Sequence, residues 1–111
     1  MRGDALRLED AIKAINKIAK YAKQGRDEFE RNELIQIWIV HHMQVLGESI
    51  AKLSDNLKNK HPDVPWRNIV GMRNILIHGY FLVDLKIVWQ TVEKDIPILK
   101  KQIAVIKREL E

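Results

Sequence analysis

Arg73-Asn74-Ile75-Leu76-Ile77-His78-Gly79-Tyr80 sets three chemically useful side chains, Arg, His and Tyr, in an otherwise aliphatic run. Asn74 and His78 are four apart and share one face of a helix, while Ile75, Leu76 and Ile77 point largely elsewhere. Gly79 directly after His78 reads as a helix stop, because glycine accepts the left-handed conformation just past a helix end. The stretch is therefore the C-terminal end of a helix, with His78 where the macrodipole favours an imidazolium. Taken alone, the eight residues read first as an ion-pairing surface arginine with half-buried packing residues at 78 and 80.

Working outward, Pro62 and Pro65 enforce an extended connection, since residues before proline avoid the helical region. Pro65 and Trp66 then open the helix that carries Ile69, Val70, Met72, Leu76 and the motif, proline suiting a first turn. Gly71 within it suggests a close helix crossing. Beyond Tyr80, Asp84 can cap a last helix whose inward seam is Leu85, Val88/Trp89, Val92, Ile96, Leu99, Ile103 and Ile106. Pro97 should kink that helix, because it lacks an N–H and clashes with the preceding turn.

Upstream, a long helix is predicted from near Asn32 to Leu53, with the seam Ile35, Trp38/Ile39, His42, Val45/Leu46, Ser49 and Leu53. Gly47 offers a place for another helix to approach closely. Glu48 reads as a surface charge or as the partner of a buried arginine, Arg73 being one candidate. The adjacent His41 and His42 point about 100° apart on a helix, so they read as interface or core-edge residues rather than a metal pair. Ser54 starts a brief turn through Leu57. The first helix is amphipathic, with Asp4 as its expected cap and Ala5, Leu8, Ile12, Ile15, Ala19 and Ala22 as its apolar face. Lys13, Lys17 and Lys20 form a basic stripe on another side, read first as a solvated face and more sharply as a track for an RNA backbone. Gln24 to Asp27 ends this helix, and Asp27 is expected to cap a short turn through Phe29. Glu28, Glu30 and Glu33 read as surface charge near a helix start. Trp38, Trp66 and Trp89 lie in or beside apolar seams and read as packing. The expected fold is all-α, an antiparallel bundle of four main helices.

The 111 residues bound the chain to one domain, 1–111, and 46% hydrophobic with 31% charged residues fits a globular protein. Cysteine is absent, which excludes a disulfide framework, a thiol nucleophile and a thiolate metal site. With no bilayer-length apolar run and no signal peptide ahead of the first helix, the expected location is the cytoplasm, with no membrane partner. A net charge of +4 permits nucleic acid as a partner without demanding it. Gly-rich phosphate loops, Gly-x-Ser-x-Gly, His-Glu-x2-His and paired-aspartate nucleotidyltransferase motifs are all missing.

A cation beside an imidazole and a phenol suits a phosphodiester. RNA carries its own nucleophile, the 2′-OH, so cleavage needs a proton acceptor, a proton donor and charge neutralisation, without metal or cofactor. Arg73 and His78 are about 140° apart around a helix axis, but arginine is long and both lie near the helix end. Arg73 is assigned as phosphate clamp and transition-state stabiliser, His78 as acid/base. Asn74 and Tyr80 would position substrate. One motif supplies one imidazole, so a two-fold dimer bringing two motifs to one cleft is expected.

The run Arg-x4-His-x-Tyr, followed by Phe81-Leu82-Val83-Asp84 and Val88-Trp89, resembles the HepT-like toxins of the HEPN superfamily. The resemblance extends upstream through His61-Pro62-Asp63-Val64-Pro65-Trp66, Gly71-Met72-Arg73-Asn74 and Val45-Leu46-Gly47-Glu48, nearly the whole chain. It departs at His41 and His42, where many relatives carry Arg-Asn, and at Gln44, where they often carry Glu. The resemblance implies an all-helical homodimer, a metal-independent ribonuclease acting on cellular RNA, tRNA among the candidates. It further implies neutralisation by an MNT-type nucleotidyltransferase antitoxin that transfers AMP from ATP to Tyr80. The alternative is a non-catalytic nucleotide-binding subunit of a separate nucleotidyltransferase.

Overall fold

The computed structural model describes residues 2–78 and 84–111, with the side chains of all of these but Arg2, Ile77 and His78. Every regular element among them is helical: α1 (Arg2–Ala22), α2 (Arg26–Arg31), α3 (Glu33–Ala51), α4 (Asp55–Lys60), α5 (Trp66–His78), α6 (Leu85–Gln90) and α7 (Ile96–Leu110). A π-turn, Thr91–Asp95, joins α6 to α7. The four main helical rods are α1, α3, α5 and the α6–α7 unit. None of the described helices is long and apolar enough to cross a membrane.

α3 is the central rod. Its expected seam is buried at Ile35, Ile39, His42, Leu46 and Ser49, but so are Val40, Met43, Gly47 and Ile50. The second stripe exists because α1 and α5 pack on different sides of α3. α1 runs antiparallel to it, tied at one end by Asp4 to Ser54 and at the other by the Trp38 indole N–H donating to the Lys17 carbonyl. Asn32 caps α3, its side chain accepting from the amides of Leu34 and Ile35.

Several expectations are corrected. Asp4 does not cap α1, which starts at Arg2; its buried carboxylate instead accepts from the Ser54 amide at 2.9 Å and hydroxyl at 2.6 Å. Burial acts to push this carboxyl up, but the two Ser54 bonds outweigh it and hold the group below its ordinary value. The buried face of α1 is Leu8, Ala11, Ala14, Ile15 and Ile18, while Ala19 is exposed. Alanine is small enough to sit on either side of a helix, so its spacing carries little directional signal. Asp27 lies inside the first turn of α2, and the cap position is Gly25, whose φ of 95° suits glycine. Ahead of Pro97 the helix widens into the π-turn, the Ile96 N–H reaching back to the Thr91 carbonyl. That wider turn accommodates a residue that cannot donate and that crowds the carbonyl four residues earlier.

Candidate active site

α5 is pinned before its chemistry begins. The buried Trp66 indole N–H donates to the carbonyls of Lys58 at 3.2 Å and His61 at 3.0 Å, fixing the start of the helix on α4. Farther along, α3 and α5 meet at Gly47 and Arg73. A Cβ at position 47 would overlap Arg73 Cβ outright and come within 2.8 Å of its Cγ. The close crossing therefore belongs to Gly47. Gly71 is not a crossing among the described residues, because a Cβ there meets none of them within 4 Å.

With its first carbons close on Gly47, the Arg73 side chain reaches Glu48 of α3. Its Nη2 donates to Glu48 Oε1 at 3.4 Å and its Nη1 to Asn74 Oδ1 at 3.0 Å. Arg73 Nε is buried and has no hydrogen-bond partner among the described residues. The Glu48 side chain is half exposed and that of Arg73 less so, making this a screened contact that aims the guanidinium more than it stabilises the fold. Both readings of Glu48 hold in part: it is an exposed charge, and it pairs with Arg73, which is half-buried rather than buried.

In the sequence, Gln44 stands out only as a departure from relatives. In the structure its Nε2 donates to the Leu76 carbonyl at 3.2 Å. Leu76 lies in the last turn of α5, where carbonyls lack intrahelical partners, so Gln44 supports the end of the helix that carries the motif. No local pattern marks this contact, since it joins residues 32 apart in sequence. Arg73, Asn74 and the backbone of His78 thus lie on one helix end, with Asn74 exposed. The His78 side chain, Gly79 and Tyr80 lie outside what is described, as does the expected helix stop at Gly79.

The family profile described as "Ribonuclease HepT-like" matches residues 11–106. The chain belongs to the HepT-like ribonuclease family. It is 32% identical over 100 residues to a "Putative RNase" of Methanocaldococcus jannaschii, covering 89% of this chain and 92% of that one. It is 35% identical over 94 residues to a "Probable ribonuclease HepT" of Thermococcus cleftensis, covering 84% and 86%. A further M. jannaschii relative, "Gamma-glutamylcyclotransferase and putative RNase", is 35% identical over 113 residues; the match spans this whole chain and 51% of that protein. No solved structure gives a significant match. Family membership agrees with the resemblance read from the motif, and the all-helical architecture agrees with the expected HEPN-like bundle.

Proposed function

We propose that this HepT-like chain is a metal-independent endoribonuclease of the cytoplasm and the toxic member of a toxin–antitoxin pair. The observation that carries the reading is the Arg73 guanidinium, held by Glu48 and Asn74 at the same helix end that bears His78. Arg73 binds the scissile phosphate and neutralises charge developing on it. A base removes the 2′-OH proton, O2′ attacks phosphorus, and the 5′-oxygen leaves with a proton from an acid. The products are a cyclic phosphate and a 5′-hydroxyl. His78 serves in proton transfer, with Asn74 and Tyr80 positioning substrate.

A base and an acid from one motif imidazole per chain call for two motifs, so the active species in this proposal is an isologous dimer. The outer side of α5 supports it: a Cβ at Gly71 would meet none of the described residues within 4 Å and Ile75 is 66% exposed, with Ile87 at 60% and Ile98 at 59% nearby along one groove. In the same reading, a cognate MNT-type nucleotidyltransferase transfers AMP from ATP to the Tyr80 hydroxyl, releasing pyrophosphate. The tethered phosphate then occupies the place of the RNA backbone beside Arg73.

The test is cleavage of RNA in EDTA by protein purified without antitoxin. Arg73→Ala and His78→Ala should each abolish cleavage while helical signal and mass in solution stay unchanged. A divalent-ion requirement, or activity surviving in both variants, refutes the mechanism. Intact-mass analysis after co-expression with the nucleotidyltransferase should show added adenylate that Tyr80→Phe lacks. Protection that persists in Tyr80→Phe, with no added mass on the unsubstituted chain, would mean neutralisation by occlusion.

A further inference from the structure

A second concave site lies away from the motif, between the end of α1 and the start of α3. It is a pocket of about 790 Å³ whose lining holds no acidic residue. Its wall is a run of edge-to-face rings. Tyr21 and Trp38 have centroids 5.2 Å apart, Trp38 and His42 4.5 Å, and His42 and His41 4.8 Å. Trp38 is fixed rather than free, because its indole N–H donates to the Lys17 carbonyl at 2.7 Å. Lys20 Nζ stands 5.6 Å from the Tyr21 ring and 6.0 Å from the Trp38 ring. Lys17, Lys20 and His41 are exposed, and Leu34 on the rim is 78% exposed. Burial, helped by His41 and Lys17, holds His42 below its ordinary value, so the inner ring is neutral at pH 7.

Rigid rings flanked by ammonium groups, with no carboxylate among them, are the chemistry of single-stranded nucleic acid. Bases stack on the rings and phosphates sit on the cations. One pocket residue, His41, also shares a face of α3 with the partner of the motif arginine. His41 and Glu48 are seven residues apart, hence on nearly the same face of α3 and about 10 Å apart along its axis. Both are exposed, and Glu48 holds Arg73. A strand whose phosphate is bound at Arg73 can therefore run along the outer face of α3 to the pocket.

We infer that the Tyr21–Trp38–His41–Lys17 pocket is a second RNA-binding site, which takes unpaired bases flanking the scissile phosphate. This rests on the ribonuclease reading for the position of the cut, but not for the binding itself. The basic stripe of α1 then has a use at its Lys17–Lys20 end, whereas Lys13 is paired with Glu9 at 3.7 Å.

The experiment measures binding of a 12-nucleotide 2′-O-methyl oligonucleotide, which cannot be cleaved because its 2′ oxygen is blocked. Fluorescence anisotropy at low salt reports affinity, and tryptophan emission reports stacking. His41→Ala and Lys17→Gln should each weaken binding about 3–10-fold. Lys17→Gln should also lower the slope of log K against log salt by about one. Lys100→Gln on α7, exposed and far along the chain, is the control for net charge and should bind as the unsubstituted protein does. Ultraviolet crosslinks should map to Tyr21 or Trp38. The inference is overturned if the unsubstituted protein does not bind, if both pocket variants bind undiminished, or if Lys100→Gln weakens binding equally. It is also overturned if either pocket variant changes the mass in light scattering, which would make this face a contact between copies. Binding through the pocket without any cleavage would leave this site standing and remove the ribonuclease reading alone.

Discussion

Gly47→Ala tests the crossing on which the arginine depends. The new methyl would overlap Arg73 Cβ, lie 2.8 Å from Cγ and 3.5 Å from Cα. A rotamer change can move Cγ away, but Cβ and Cα travel only with the backbone of α5. Restoring ordinary carbon contacts of about 3.5–4.0 Å means shifting α5 off α3 by roughly 1–2 Å. Overpacking of this kind costs about 1–3 kcal/mol. Replacing glycine by alanine inside a helix offsets up to about 1 kcal/mol of it. The net expectation is a loss of about 1–2 kcal/mol, read as a Tm lower by roughly 4–10 °C in calorimetry. Gly71→Ala is the contrasting variant: its Cβ meets nothing among the described residues, so a gain of up to about 1 kcal/mol from helix propensity is expected unless the proposed contact between copies closes on it. In cleavage, Gly47→Ala should lose more than its folded fraction explains, because a shift of about 1 Å at a clamp costs on the order of 100-fold. Gly47→Ala as stable and as active as the unsubstituted chain would refute the reasoning.

Three further outcomes are expected. Glu48→Ala should lower cleavage more than Glu48→Gln, whose amide oxygen still accepts from Arg73, with stability changed by less than about 1 kcal/mol in both; equal activities would remove Glu48 as a positioning residue. Gln44→Ala should leave the Leu76 carbonyl without its side-chain donor, costing about 0.5–1.5 kcal/mol and raising amide exchange near the end of α5; unchanged exchange there would count against it. Ser54→Ala removes both the hydroxyl bond to Asp4 and the α4 cap bond to the Leu57 amide, a loss of about 1–3 kcal/mol at pH 7. Asp4 is held below its ordinary value of 3.8, so its contribution is full above that pH and is lost as pH falls through the folded value. Urea titrations should therefore show a flatter acid limb below pH 4 in Ser54→Ala, and parallel limbs would refute the link.

By itself the sequence determined the helical elements, because hydrophobic period and end signals are local properties. Isoleucines and valines at three-and-four spacing mark α3 and the α6–α7 unit; Asp84 caps where expected, and Asn32 and Ser54, read only as starting points, cap the helices they begin. It also determined the family, through motif residues whose order survives wherever the side chains point. Tertiary structure alone decided which faces were shared. α3 is buried on two sides, which blurs a single seam into a nearly continuous apolar helix. The alanines of α1 gave its face no direction until Leu8, Ile15 and Ile18 packed against a neighbour. Asp4, an apparent cap, became a tie across 50 residues, and Gly47 rather than Gly71 became the crossing. Both glycines look alike in sequence, since the lack of a side chain shows only that a close approach is possible. Whether a second helix takes that space depends on the register of α3 against α5, and that register also brings Glu48 to Arg73 and Gln44 to Leu76.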